Sequence, residues 1–126
     1  MINKYFKEIE NSISSFSNFI KTYSKTEKLY SENKGYVRGK IVFTDNCMLI
    51  FMELIDIEKQ AKQKYSYHFV DSDTNLIFRY DNSEHHPDIS SYPHHKHLPG
   101  DVILSNEPKL SDILIEIYNM KYRKYK

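Results

Sequence analysis

The chain has 126 residues, a formal net charge of +1, 40% apolar and 28% charged residues, eleven Tyr, no Trp and one Cys. That length fits a single domain, 1–126, able to bury roughly two-thirds of the surface its unfolded chain exposes. The near-zero charge excludes a global field that would recruit nucleic acid, so any basic footprint must be local. The longest apolar run, 47–52, is far below the roughly 20 residues of a membrane span. The expectation is therefore a cytoplasmic protein with no membrane partner. Cys47 reads as a small buried hydrophobe of a reducing compartment.

In chain order, Phe6, Ile9, Ile13, Phe16, Ile20 and Tyr23 recur at steps of three and four, which predicts one amphipathic helix over 3–23. Residues 24–35 are polar without period and read as a connector, so that 1–34 is helix and connector and 35–82 is sheet.

Residues 36–44 alternate into Asp45-Asn46, which suits a two-residue hairpin turn into a second strand, 47–57. That register sets Arg38 across from Glu53, either as a strand-pinning ion pair or as a substrate-facing pair. Met48, Ile50, Met52 and Leu54 occupy one face of the second strand and Leu49, Phe51, Ile55 and Ile57 the other. Apolar groups on both faces imply a central strand or a homodimer contact.

Residues 65–70 form a third strand, 71–75 a turn, and 76–80 a fourth strand. The turn places His68 opposite Arg79 and Ser66 opposite Asp81, while Asp81 is assigned to the face opposite Arg79. The predicted fold is α+β, a four-stranded antiparallel meander sheet with an N-terminal and a C-terminal helix packed on one face.

Residues 83–107 form a loop carrying five of the six histidines, His85, His86, His94, His95 and His97, between Pro87, Pro93 and Pro99. Pro108 and a cap at Asn106 or Ser111 begin a final helix with Leu110, Ile113, Leu114 and Ile117 on its apolar stripe. The tail, 121–126, interleaves Lys121, Arg123, Lys124 and Lys126 with Tyr122 and Tyr125. That composition suits phosphates and stacked bases, or the negative end of a helix dipole.

Histidine both gives and takes a proton near neutrality and also ligates metals. Cleavage of RNA by its own 2′-hydroxyl needs a base, an acid and a cation for the phosphorane. His68, His86, His94, His95 and His97 are candidates for the proton transfers and Arg79 for the cation. Asp81 is the candidate for orienting a loop histidine. Arg38, Glu53, Tyr80, Asn82, His85, Lys96, Lys121, Arg123 and Lys124 are the candidate substrate contacts. No cofactor is required by this reading. Two alternatives use the same residues. One is a metal site with His95 and His97, at i, i+2 on an extended backbone, completed by His85 or His86. The other is a non-catalytic module binding nucleic acid or protein. No P-loop, dinucleotide fingerprint or nucleophile elbow is present.

The run FRYDNSEHHPDISSYPHHKHLPGDV at 78–102 resembles the TumE-like family of toxins from prokaryotic toxin-antitoxin modules. GYVRGKIVF at 35–43, the strand around Phe51-Met52-Glu53 and YSYHF at 65–69 are similar to that family too. The resemblance covers about residues 35–118. Many relatives carry glycine in the first hairpin turn, where this chain has Asn46. The resemblance implies a toxin role and a cognate antitoxin partner, often a small helix-turn-helix protein. It implies no particular reaction. RNA as the substrate and a metal-independent ribonuclease as the activity come from the residues.

Overall fold

A computed structural model describes residues 1–84 and 88–122. Helix α1 (Ile2–Ser14) leads through a 3₁₀ turn (Ser17–Phe19) into β1 (Ile20–Leu29). Then follow β2 (Lys34–Phe43), β3 (Met48–Asp56), a second 3₁₀ turn (Ile57–Lys59), β4 (Ala61–Val70) and β5 (Leu76–Asp81). A hairpin of β6 (His95–Leu98) and β7 (Asp101–Leu104) precedes α2 (Leu110–Tyr122). The described strands form one sheet in the order β1 to β7, every neighbouring pair antiparallel. The four-stranded sheet is thus corrected to seven strands. The four expected strands are β2 to β5, and β1, β6 and β7 are additional, while the α+β class stands.

The first addition comes from an accidental continuation of the helical stripe. Ile2, Phe6, Ile9 and Ile13 are buried on α1, but the serine-rich stretch 14–17 is a poor helix former and the chain turns there. Thr22, Tyr23 and Thr26 favour a strand, and β1 pairs with β2 from Ile20↔Phe43 to Leu29↔Gly35. This edge strand is almost wholly exposed and carries Lys21, Lys25 and Lys28, the kind of charge that discourages edge-to-edge association.

The β2–β3 turn also differs by one residue. Phe43 N–H donates to Cys47 O at 2.9 Å and Asn46 N–H to Phe43 O at 2.9 Å, so the loop is Thr44, Asp45 and Asn46, with Asn46 at φ 70°. Such a three-residue loop ends in a left-handed residue, which favours Gly or Asn. A slip of one residue exchanges the faces. Arg38 consequently pairs with Met52, and Glu53 with Val37. The expected Arg38–Glu53 pair does not form.

Across β4 and β5 the expected register holds, with His68↔Arg79 and Ser66↔Asp81. The histidine segment contains the β6–β7 hairpin, in which Leu98 pairs with Asp101 around Pro99-Gly100 and Gly100 has φ 77°. Pro followed by a positive-φ Gly is the pattern of a type II turn.

Both helices cover one face. Ile2, Phe6, Ile9 and Ile13 of α1 and Leu110, Ile113, Leu114 and Ile117 of α2 join Val37, Ile41, Leu49, Phe51, Tyr67, Phe69 and Phe78 in one buried cluster. Burying each large apolar side chain contributes about 1.5–3 kcal/mol. Neither Asn106 nor Ser111 caps α2. Instead Lys109 N–H donates to Asp112 Oδ2 at 2.9 Å. No described helix is long and apolar enough to cross a membrane.

Candidate active site on the open face of the sheet

The face turned away from the helices carries two rows of side chains running across the strands. One joins Arg38, Met52, Ser66, Asp81 and His95, and the other Lys40, Ile50, His68, Arg79 and His97. Strand residues at i and i+2 share a face, so the two rows lie side by side. For the same reason Arg79 and Asp81 are neighbours, and the expectation that they occupy opposite faces is corrected. Arg79 Nε donates to Asp81 Oδ2 at 2.8 Å.

Asp81 is the hub. Its Oδ1 accepts from Ser83 N–H at 3.1 Å and from the Ser83 hydroxyl at 2.9 Å, and lies 2.7 Å from His95 Nε2. Its Oδ2 faces His97 Nε2 at 3.5 Å as well as Arg79. Burial pushes this carboxyl's pKa up, but the hydrogen bonds from Arg79 and Ser83 and the charge of His95 outweigh it and hold the group below its ordinary value. His95 is 1% exposed and its Nδ1 lies 2.9 Å from Pro93 O. A carbonyl only accepts, so Nδ1 donates.

The accessible members are Arg79 and His97, whose side chains are 42% and 27% exposed, together with half-buried His68. Desolvation and then the Arg79 charge lower the His68 pKa. Both causes disfavour the imidazolium, so His68 is neutral at pH 7 and competent as a base.

The donor atoms of Asp81, His95 and His97 lie within 4.8 Å of one another, a spacing a metal ion can draw on. His95 Nε2 is 2.7 Å from Asp81 Oδ1 and His97 Nε2 3.5 Å from Asp81 Oδ2, and the second of these is near the roughly 3.3 Å between donors in a tetrahedral zinc site. The Arg79 guanidinium also sits against the same carboxylate, where it opposes a second cation.

Other sequence candidates lie elsewhere. Glu53 is fully buried beneath the helices, accepting from the hydroxyls of Tyr5 and, at 2.6 Å, Tyr67. Tyr80 and Lys96 both bind Glu116 of α2, at 2.5 and 2.7 Å. His94 Nδ1 meets the Tyr65 hydroxyl at 2.8 Å, its ring stacked on that tyrosine. Asn82 extends the β4–β5 pairing, accepting from Tyr65 N–H at 3.0 Å and donating to Gln63 O at 3.2 Å. Lys121 pairs with Asp45 at 2.6 Å. Arg38 is on the open face but three strands from Asp81. His85, His86, Arg123 and Lys124 lie outside the described residues.

Sequence reasoning missed Ser83, Lys40, Ile50 and Met52. The alternation of β2 and β3 held the signal for the last three, and the misplaced turn obscured it.

Neither the curated proteins nor the solved structures contain a match to the chain. The family model described as Toxin TumE matches residues 6–121, so the chain belongs to the TumE family and is the toxin component of a toxin-antitoxin module, with a cognate antitoxin as its partner.

Proposed function

We propose that this toxin cleaves RNA by metal-independent acid-base chemistry on the open face of its sheet. The observation that carries the reading is the cross-strand row His68–Arg79–His97, in which Arg79 stands on the strand between those of the two histidines. Adjacent strands are about 4.8 Å apart, so a phosphate gripped by Arg79 has one ring on either side. In-line displacement requires that arrangement, because the attacking and leaving oxygens lie on opposite sides of phosphorus.

His68, neutral through desolvation and the Arg79 charge, takes the proton of the 2′-hydroxyl as its oxygen bonds to phosphorus. Arg79 stabilises the charge on the phosphorane. The protonated His97 ring gives its proton to the departing 5′-oxygen. The products are a 2′,3′-cyclic phosphate and a 5′-hydroxyl, and solvent exchange resets both rings. Asp81 holds Arg79 and His97 in place through its Oδ2. Buried His95 is a positioning residue, tying Asp81 to the backbone at Pro93. The antitoxin is, on this reading, a small helix-turn-helix protein.

The test is a cleavage assay on purified toxin with and without chelator, beside elemental analysis. Cleavage indifferent to chelator, ending in cyclic phosphate, is the expected result. Stoichiometric zinc with chelator-sensitive cleavage would transfer Asp81, His95 and His97 to a metal site. Absence of RNA cleavage by soluble toxin that arrests growth would overturn the ribonuclease reading.

A further inference from the structure

The open face has a feature that the chemistry above does not use. A groove of about 510 Å³ runs over β1 to β4, lined by Ser24, Thr26, Tyr36, Arg38, Lys40 and Met52 among others. Its far end is Ser66, which pairs with Asp81 and is two residues from His68, so groove and catalytic row are continuous. The floor is apolar: Ile50 is 42% exposed, with Met52 and Tyr36 half-buried beside it. Among the described residues, neither helix lines this groove, and an exposed Ile in the middle of a sheet has no packing reason.

The cations at the groove differ in kind. Lys25 is committed to Glu10 at 2.9 Å and Glu27 at 2.5 Å. Arg38 and Lys40 are exposed, and among the described residues neither has an ion-pair partner. Two uncommitted cations over an apolar floor match a polymer with alternating phosphates and flat bases. We infer that this groove binds a single-stranded stretch of RNA beside the scissile phosphate, with Arg38 and Lys40 on flanking phosphates and bases over Ile50, Met52 and Tyr36. A duplex would present phosphates alone and leave the apolar floor uncovered, and its paired strand resists the splaying that attack by a 2′-hydroxyl needs. From β5 to β2 is about 14 Å at the usual strand spacing, so the contacts lie to one side of the cut and fix the direction in which the strand crosses the sheet.

The inference rests on the reading of the toxin as an RNA-cleaving enzyme, and a non-cleavable probe separates the two. Binding is measured by fluorescence anisotropy with a short labelled 2′-O-methyl oligoribonucleotide, whose attacking hydroxyl is blocked, against the full-length wild type and the R38Q/K40Q double variant. Cleavage is followed on unmodified RNA. The double variant should bind at least 10-fold more weakly. Its slope of log affinity against log salt should be shallower by about 1.4, since each single-strand phosphate contact contributes about 0.7. Both positions are exposed, so its circular dichroism and melting should match wild type. Equal affinity and slope in wild type and double variant would overturn the groove. Equal competition by a duplex of the same sequence would overturn the single-strand assignment. Loss of binding in R38Q/K40Q while H68A still cleaves at the wild-type rate would leave the groove standing and overturn the acid-base reading. A wild type that binds no probe and cleaves no RNA would overturn both.

Discussion

The two faces of the sheet each bury a carboxylate among hydrogen-bond donors, and the difference between them lies in access. Beneath the helices, Glu53 is fully enclosed, held by the Tyr5 and Tyr67 hydroxyls and 3.9 Å from Lys62 Nζ. Lys62 in turn donates to the Tyr67 hydroxyl at 2.6 Å and to the carbonyl of Pro108. A register shift between Leu54 and Ile55 pairs Ile55 with Lys62 and so turns that lysine inward. Desolvation lowers the Lys62 pKa despite Glu53, and burial first, then the Glu53 charge, raises those of both tyrosines. The hydroxyls remain donors over a wide pH range, which suits a network that locks the sheet to the helices. On the open face, Asp81 is also buried, but its partners Arg79 and His97 reach solvent. The same ingredients are structural where a helical layer seals them and available for chemistry where none does.

The largest expected effect breaks the sealed side. Glu53→Ala removes the acceptor of the Tyr5 and Tyr67 hydroxyls and takes from buried Lys62 the first of its acidic neighbours, which should cost about 3–5 kcal/mol. That is a large part of the 5–15 kcal/mol typical of a domain. Urea titration measures it, and a loss under about 1 kcal/mol would mean that the network is not structural.

On the open side the effect should appear in rate. His68→Ala and His97→Ala should each lower RNA cleavage about 10²-fold or more, equivalent to roughly 2.7 kcal/mol of barrier, with melting little changed. Arg79→Lys should fail similarly, having lost the planar fork. Because His68 titrates below its ordinary 6.5, the wild-type rate should fall as pH drops through a value under 6.5, when the base becomes protonated. An acid limb above 6.5 would remove His68 from the role.

Asp81→Asn joins both sides of the comparison and should lower stability at pH 7 by about 2 kcal/mol, the range for hydrogen bonds to a charged group. The sign with pH follows from the depressed pKa. The carboxylate's contribution is present above 3.8, its ordinary value, and is lost as pH falls through the lower folded-state value. The gap between wild type and variant in thermal melting should therefore close below pH 3.8. A gap independent of pH would mean that the charge of Asp81 is not what stabilises the cluster.

The smallest effect concerns the Lys121–Asp45 pair, which ties the end of α2 to the β2–β3 turn. It is partly exposed, so Lys121→Ala should cost at most about 1 kcal/mol and leave RNA binding unchanged. A marked loss of RNA affinity would return Lys121 to the substrate contacts.

Local pattern by itself determined the strands β2 to β5, the register of β4 on β5, the second helix and the apolar stripe of α1. Each depends on a periodicity or turn that neighbouring residues specify, and His68 could be set against Arg79 by counting through the Asp71–Asn75 turn. The histidine segment was legible as chemistry because of its composition. Tertiary structure decided the rest. Residues 20–29 hold too few apolar groups to announce a strand and exist as one only because the edge of β2 satisfies their backbone. A left-handed Asn46 shifted one hairpin by a residue and sent Arg38 and Glu53 to opposite faces, which local sequence around Asp45-Asn46 does not distinguish. Pairing of β6 with β5 brought His97 beside Arg79 and buried His95 against Asp81, and a contact between strands so placed depends on which edge the segment adds to, a choice made by the whole sheet and its helical cover.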